Sequence, residues 1–141
     1  MLARKDQIIK EVQPLFEALT HYTETAQLDS FLQCYAENPE FIAISADGNM
    51  RNFQDFKKIC KDYYDSLKEQ KVTTTREIFH VLEDNLVILG WTGNINAFFK
   101  NGDVMKMEHY SITFLFKKLN GKWKVIHSHE SALPPDIIKS K

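Results

Sequence analysis

Apolar side chains recur at helical spacing through the first half of the chain. The first stripe lies within residues 4–20 and predicts a long amphipathic helix, built on Ile8, Ile9, Val12, Leu15, Phe16 and Leu19. Pro14 lies inside this stripe and is expected to kink or interrupt the helix. Similar patterns predict a second helix over about residues 25–37 and a third over about residues 52–70, with Asn52 as its N-cap.

Beyond residue 72 the pattern changes to strands separated by tight turns. Asp84-Asn85, Asn101-Gly102 and Asn120-Gly121 are two-residue hairpin signals, and the last two are the stronger. A short strand is also predicted over residues 41–46. Helices gathered ahead of an antiparallel meander predict an α+β domain, in which the helices pack on one face of a sheet.

The two Asn-Gly turns predict the register of the last three long strands. They place His127 opposite Phe114 and His129 opposite Ile112. Both turns predict one common inner face, made of Val87, Leu89, Trp91, Ile95, Phe99, Tyr110, Ile112, Phe114, Phe116, Val125, His127 and His129. Because this face is strongly apolar, it is expected to lie under the helices.

Polar side chains with proton-transfer chemistry share this predicted face. Imidazole is well suited to proton transfer near neutral pH, and a phenol can donate a hydrogen bond to a developing oxyanion. We therefore predict His127, His129 and Tyr110 as catalytic candidates. The walls of their pocket are expected to be Trp91, Ile112, Phe114 and Glu108. An equally open alternative makes both histidines hydrogen-bonded packing residues at the end of the sheet.

The strand over residues 72–82 has two open orientations, because its register depends on the turn that follows. A two-residue Asp84-Asn85 turn points Arg76 and His80 into the pocket, where Arg76 would hold an anionic group. One additional loop residue instead points Phe79 and its same-face neighbours inward and leaves Arg76 solvated. Arg76 and His80 are therefore included among the pocket-lining candidates.

The two histidines of the last strand are also candidate metal ligands. Two imidazoles at positions i and i+2 can ligate zinc when a third ligand is available. His80 and Glu108 are the candidate third ligands, but neither has a diagnostic spacing. We predict neither a metal nor a cofactor.

Composition narrows the range of partners. The 141 residues, 43% of them hydrophobic, predict a single domain over 1–141 with a substantial core. The net charge of −1, with Lys and Arg spread along the chain, argues against nucleic-acid and membrane-surface binding. A polar start and the lack of a long apolar run predict a cytoplasmic protein, with Cys34 and Cys60 as free thiols.

The segment from Lys118 to Ser131 reads Lys-Leu-Asn-Gly-Lys-Trp-Lys-Val-Ile-His-Ser-His-Glu-Ser. It resembles the K-x-x-G-x-W-x-V-x-H-x-H-x-S signature of the SnoaL-like and calcium/calmodulin-dependent kinase association-domain branches of the NTF2-like, or ketosteroid-isomerase-like, superfamily. The predicted order of elements is similar to this family along nearly the whole chain. The resemblance implies a cone-shaped (cystatin-like) fold with three N-terminal helices on a curved antiparallel sheet. It also implies an apolar pocket inside the cone and a homodimer through the outer sheet face.

The resemblance implies several catalytic sets, and they fit this chain unequally. Ketosteroid isomerases pair an Asp base with a Tyr and a protonated Asp, and no such Asp is identifiable on the predicted inner face. Limonene-epoxide-hydrolase-like sites use an Asp-Arg-Asp cluster, which only Arg76 partly matches. Scytalone-dehydratase-like sites use paired His with Tyr and Asp, the nearest chemical analogue of His127, His129 and Tyr110.

Two functions follow from this resemblance. The leading one is a protein that binds a small apolar or aromatic ligand in the cone, with acid–base catalysis of the isomerase, dehydratase or cyclase type as an open extension. The alternative is a dimeric binding or assembly module without chemistry, because this fold hosts many functions. Whether the protein is an enzyme is left open.

Overall fold

Three helices form the N-terminal half of the protein. A computed structural model describes the backbone of residues 2–141 and the side chains from residue 4 onward. The helices are α1 (Leu2–Glu24), α2 (Leu28–Gln33) and α3 (Phe53–Ser66). The predicted N-cap of α3 is confirmed, because the Asn52 side chain accepts a hydrogen bond from the Asp55 amide at 2.9 Å. No helix in the described part of the chain is long and apolar enough to cross a membrane.

The first helix runs without a break through Pro14, so the predicted interruption does not occur. Proline removes the hydrogen bond that the Lys10 carbonyl would otherwise accept. Pro14 is exposed, whereas Val12 and Phe16 on the opposite side are buried. The freed carbonyl therefore lies on the solvent side, where water can hydrate it, and the buried face keeps the helix in place.

The second helix is much shorter than predicted, because the chain that follows it joins the sheet. Val125 donates its amide hydrogen bond to the Cys34 carbonyl at 2.9 Å, and Ala36 donates to the Val125 carbonyl at 2.8 Å. This pairing fixes Tyr35, a buried residue, beside the sheet. The distant backbone partner explains why local helical periodicity overestimated this element.

The strands form one curved, unclosed sheet. They are β1 (Ile42–Ile44), β2 (Met50–Arg51), β3 (Leu67–Glu83), β4 (Leu86–Phe99), β5 (Val104–Leu119), β6 (Lys122–Ser131) and β7 (Asp136–Ile138). The order is β2-β1-β6-β5-β4-β3, and β7 pairs with the first residues of β5. All pairs are antiparallel except β1 with β6. The predicted α+β architecture, with helices on a curved antiparallel sheet, is confirmed.

The core lies between the helices and the inner face of this sheet. Phe16 of α1 contacts Phe114 and Phe79 edge-on, with ring centroids 5.7 and 6.1 Å apart. The largest fully buried side chains of the long strands are Val87, Leu89, Phe116 and Val125, all predicted to face inward. The binary pattern therefore predicted the centre of the core correctly.

The pairing of β5 with β6 contains a bulge that the turn-based register did not include. Phe116 pairs with Val125, as predicted, but the next pair is Leu115 with His127. Ile126 is therefore an extra residue on β6, and it is buried like its neighbour Val125. One extra residue exchanges the two faces of everything that follows it on the strand.

This bulge overturns the placement of both histidines. The prediction that His127 and His129 face the helices is wrong: they lie on the outer face, half-buried and exposed, respectively. Ser128 and Glu130 occupy the inner face instead. Ser128 pairs with Phe114, and Glu130 pairs with Ile112. Glu130 consequently points under the helices.

A second bulge interrupts the regular pairing of β4 with β5 beyond Gly93. Gly93 pairs with Tyr110 as predicted, but Ile95 pairs with Met107 and not with Glu108. Glu108 is exposed, so its predicted place in the pocket is wrong. The physical reason is again an extra residue, which turns Met107 inward and Glu108 outward.

The orientation of β3 follows the longer-loop alternative. A register shift before the β3–β4 turn places Phe79 inward, against α1. Arg76 and His80 are both exposed, so their predicted pocket positions are wrong. The shift at the end of the strand supplies the additional residue on which this alternative depended.

Candidate functional site

A cavity of about 290 Å³ lies between the helices and the inner face of the sheet. Aromatic and aliphatic side chains form most of its wall, with a small number of polar groups among them. The lining residues are Leu19, Thr23, Phe31, Tyr35, Ser45, Phe56, Ile59, Cys60, Tyr63, Tyr64, Gln70, Ile95, Met107, Tyr110, Ile112, Phe114 and Glu130. An apolar concavity with few convergent polar groups is the usual form of a small-molecule site.

Glu130 is the only carboxylate on this wall, and it is paired with a phenol. The Tyr110 hydroxyl donates a hydrogen bond to Glu130 Oε2 at 2.8 Å. Burial raises the pKa of Glu130, a shift that the hydrogen bond from Tyr110 partly opposes. Asp47 raises this pKa further, and Arg51 lowers it. The protonated form of Glu130 is therefore favoured relative to an ordinary glutamic acid.

Tyr110 meets Glu130 because the bulge in β6 turns Glu130 to the inner face, where Tyr110 already lies. Tyr110 follows His109, whose φ of 52° lies in the left-handed region. Burial raises the pKa of Tyr110 well above its usual range, and the charge of Glu130 adds to this shift. Tyr110 therefore remains a hydrogen-bond donor throughout the physiological pH range.

A second polar cluster lies across the cavity on α1, α3 and β3. The Tyr63 hydroxyl donates to Gln70 Oε1 at 2.7 Å, and Gln70 Nε2 donates to the Thr23 carbonyl at 3.0 Å. Gln70 is buried, so both ends of its amide are satisfied by the protein. Burial raises the pKa of Tyr63 and Tyr64 above the ordinary phenol value. These phenols stay neutral and supply a fixed, polar edge to an otherwise apolar cavity.

Cys60 on α3 also faces the cavity. Burial raises the pKa of its thiol to about 12. The thiolate is the nucleophilic form of cysteine, and it is scarcely populated at such a pKa. Cys60 therefore acts as a wall residue and not as a nucleophile.

The residues predicted from the sequence divide into three groups in the structure. Tyr110, Ile112 and Phe114 do line the cavity. Trp91 is buried beside it, lines an adjoining space of about 40 Å³, and donates its indole hydrogen bond to Thr74 Oγ1 at 2.9 Å. The remaining candidates lie outside the cavity and are His127, His129, Glu108, Arg76 and His80.

Sequence reasoning missed the carboxylate and most of the phenols. Strict alternation with His127 and His129 places Glu130 on the outer face, because alternation carries no signal for a bulge. The adjacent apolar pair Val125 and Ile126 was the available indication, since one of two consecutive apolar residues breaks the alternation. At helical spacing Tyr35 and Tyr63 are typical core residues, and their contact with a cavity depends on tertiary packing that the sequence pattern does not show.

The same geometry bears on metal binding. In the part of the chain that the structure describes, no three side chains of His, Cys, Asp and Glu converge on one point. Within the cavity, Glu130 and Cys60 are the only residues of these four types. The arrangement therefore suits proton transfer and hydrogen bonding by side chains.

Comparison with known proteins agrees with this architecture. The sequence matches the SnoaL-like domain family over residues 12–135, and the chain therefore belongs to that family. No curated protein matches the sequence significantly.

Several solved structures share the fold at low sequence identity. A protein of Novosphingobium aromaticivorans DSM 12444, provisionally named a scytalone dehydratase, is similar with a TM-score of 0.81 and 6% identity, over 100% of this chain and 94% of that one. A protein of Streptomyces avermitilis, provisionally named a dehydratase of the NTF2-like family, gives a TM-score of 0.79 and 11% identity, over 92% and 98%. An NTF2-like protein of unknown function from Shewanella oneidensis MR-1 gives 0.66 and 20%, over 87% and 98%.

Proposed function

We propose that this protein binds a small, largely aromatic molecule in the interior cavity and that Glu130 is its acid–base group. The observation that carries this proposal is the Glu130–Tyr110 pair, which faces an otherwise aromatic and aliphatic wall. The solved structures named as dehydratases support the reaction class, since dehydration also depends on proton transfer.

The size of the cavity limits the ligand. A cavity of about 150 Å³ is sufficient for benzene in an apolar protein interior. The cavity of about 290 Å³ therefore suits a molecule of one or two rings, and it is too small for a large cofactor. Ring stacking on Phe31, Tyr35 and Phe56 would supply most of the affinity, because these side chains form a continuous aromatic surface.

The environment of Glu130 favours general acid–base catalysis. A carboxylic acid works best when its pKa approaches the working pH, and burial moves Glu130 in that direction. Tyr110 holds the carboxyl in one orientation and leaves its second oxygen available to the ligand. Proton transfer at a carbon or an oxygen of the ligand would serve isomerisation, dehydration or cyclisation equally well.

The ketone 2-tetralone tests this proposal, because its two fused rings fit the cavity and its α-protons exchange with deuterium on enolisation. We expect NMR shift changes at cavity residues, together with exchange in D₂O faster than in buffer alone. Glu130→Gln is expected to reduce the protein-dependent exchange at least ten-fold, because the amide cannot accept the proton. His129→Gln is the matched control on the same strand and should retain it. Exchange that survives in Glu130→Gln would refute the assigned role.

We further propose a homodimer through the outer sheet face, the architecture expected for the assembly-module alternative. Ile78 on this face is a large apolar residue and is 39% exposed. Its neighbour Gly90 has open space where a Cβ would lie, so Gly90→Lys adds charge without disturbing the protomer. Light scattering should show a dimer that Gly90→Lys dissociates, while Gln54→Lys on α3 leaves it intact. A monomeric wild-type protein would refute this proposal.

A further inference from the structure

Three of the hydroxyl groups around the cavity donate their hydrogen bonds within the protein. The Thr23 hydroxyl donates to a backbone carbonyl one helical turn earlier at 2.8 Å. Tyr63 donates to Gln70 at 2.7 Å, and Tyr110 donates to Glu130 at 2.8 Å. The second carboxylate oxygen of Glu130 and the lone pairs of these hydroxyls remain as acceptors. When Glu130 is ionised, a ligand group that donates hydrogen bonds complements these acceptors.

The charge of the wall leads to the same kind of ligand. Glu130 is its only carboxylate, and no Lys, Arg or His lies among the lining residues. The nearby Arg51 is engaged elsewhere, because it donates to Ser45 Oγ at 2.8 Å and to Asp47 at 3.2 Å. An ionised Glu130 therefore has a phenol as its hydrogen-bond partner but no cation in direct contact. A carboxylate in such surroundings is stabilised strongly by a positively charged ligand.

The aromatic rings of the wall complement a positive charge as well. Tyr35 lies 5.0 Å from Phe31 and 4.8 Å from Phe56 between ring centroids, and all three line the cavity. The Tyr35 side chain is buried, and within the described residues its hydroxyl makes no hydrogen bond to another side chain or to the backbone. Aromatic faces attract ammonium groups, and a free phenol oxygen can accept one of their hydrogen bonds.

We propose that the natural ligand of the cavity is a protonated aromatic amine of one or two rings, with its ammonium group bound by Glu130 and Tyr35. This inference rests on the proposed function, because it assigns a chemical class to the ligand of the same cavity. Glu130 supplies the counter-charge, the aromatic rings hold the apolar part, and the free lone pairs accept the ammonium hydrogens. An anionic ligand would meet the carboxylate without a compensating cation.

Three probes of matched size isolate the effect of charge: 2-phenylethylamine is a cation at neutral pH, 2-phenylethanol is neutral, and phenylacetate is an anion. Their affinities for the whole protein are measured by NMR titration of the cavity residues at pH 8. We expect the amine to bind at least ten-fold more tightly than the alcohol, and phenylacetate to bind more weakly than either. In Glu130→Gln the amine should lose its advantage, whereas the alcohol should bind as in the wild type.

The outcomes separate this inference from the proposed function. Equal or tighter binding of the alcohol by the wild type would overturn the inference while keeping a small-molecule cavity. An amine affinity unchanged in Glu130→Gln would overturn it too. The lack of binding by all three probes would remove both proposals. His129→Gln is the matched control on the outer face, and its affinities should equal those of the wild type. The wild-type comparison is decisive by itself, even if a variant folds poorly.

Discussion

The hydrogen bond between Tyr110 and Glu130 makes a quantitative prediction, because its strength depends on the charge of the carboxyl. The two oxygens lie 2.8 Å apart, and Tyr110 is 8% exposed. Hydrogen bonds to a charged group contribute about 1.5–3 kcal/mol, whereas neutral ones contribute about 0.5–1.5 kcal/mol. Tyr110→Phe should therefore lower the free energy of unfolding by about 0.5–1.5 kcal/mol at pH 4, and by up to about 1.5–3 kcal/mol at pH 9 as rising pH favours the ionised form of Glu130.

Urea unfolding of both proteins at the two pH values measures this difference. Tyr110 stays protonated at pH 9, because burial raises its pKa, so it remains a donor under both conditions. Tyr63→Phe is the matched control: Tyr63 donates to the neutral amide of Gln70 at 2.7 Å. Its stability loss should be the same at both pH values. A loss in Tyr110→Phe that does not depend on pH would refute the charged hydrogen bond.

Three further substitutions test the raised pKa of Glu130, the close backbone packing at Gly93 and the effect of Pro14 on the first helix. Glu130→Gln should stabilise the protein increasingly as pH rises above the ordinary glutamate pKa, because a raised pKa in the folded state makes ionisation of Glu130 oppose folding. Thermal melts of both proteins from pH 4 to pH 8 should show this trend. A difference in melting temperature that stays constant with pH would contradict it. Gly93→Ala should lower the free energy of unfolding, measured in urea, by about 1–3 kcal/mol or more, because the added Cβ would lie 2.1 Å from the Thr73 carbonyl oxygen. Gly90→Ala is the control, since its added Cβ has open space and should be tolerated. Pro14→Ala should raise the melting temperature by restoring a helical hydrogen bond, and an unchanged or lower value would count against that reason.

The sequence predicted the fold well, because the fold depends on patterns repeated over many residues. The helical stripe of α1 and the alternation around Leu89 and Phe116 each involve several apolar positions. A single irregularity such as Pro14 cannot outweigh them. The helix-to-sheet connections were less predictable, since Tyr35 leaves helical geometry to pair with a strand ninety residues further along the chain.

The candidate site was less predictable, because it depends on single inserted residues. A bulge needs only one extra residue, and Ile126 has no unusual composition to announce it. Gly93 gave a clearer indication for the second bulge, since a glycine inside a strand often marks an irregularity or a close approach of two backbones. The predicted and the observed registers both place Tyr110 on the inner face, and it is the one catalytic candidate that reaches the cavity.

The bulge in β6 determines which chemistry the cavity can perform. Without Ile126 as an extra residue, an imidazole from His129 would face the aromatic wall, and the cavity would hold a group that is cationic when protonated. With the bulge, the same strand presents Glu130, which is neutral when protonated and anionic when ionised. The sign of the charge available to a ligand is therefore opposite to the one that strict alternation predicts. Deleting Ile126 should exchange the two faces, at a stability cost from the lost packing of a buried isoleucine. If a folded deletion variant lost the preference for 2-phenylethylamine over phenylacetate, the selection of ligand charge would depend on this one inserted residue. An unchanged preference would show that the cavity wall selects ligand charge without Glu130.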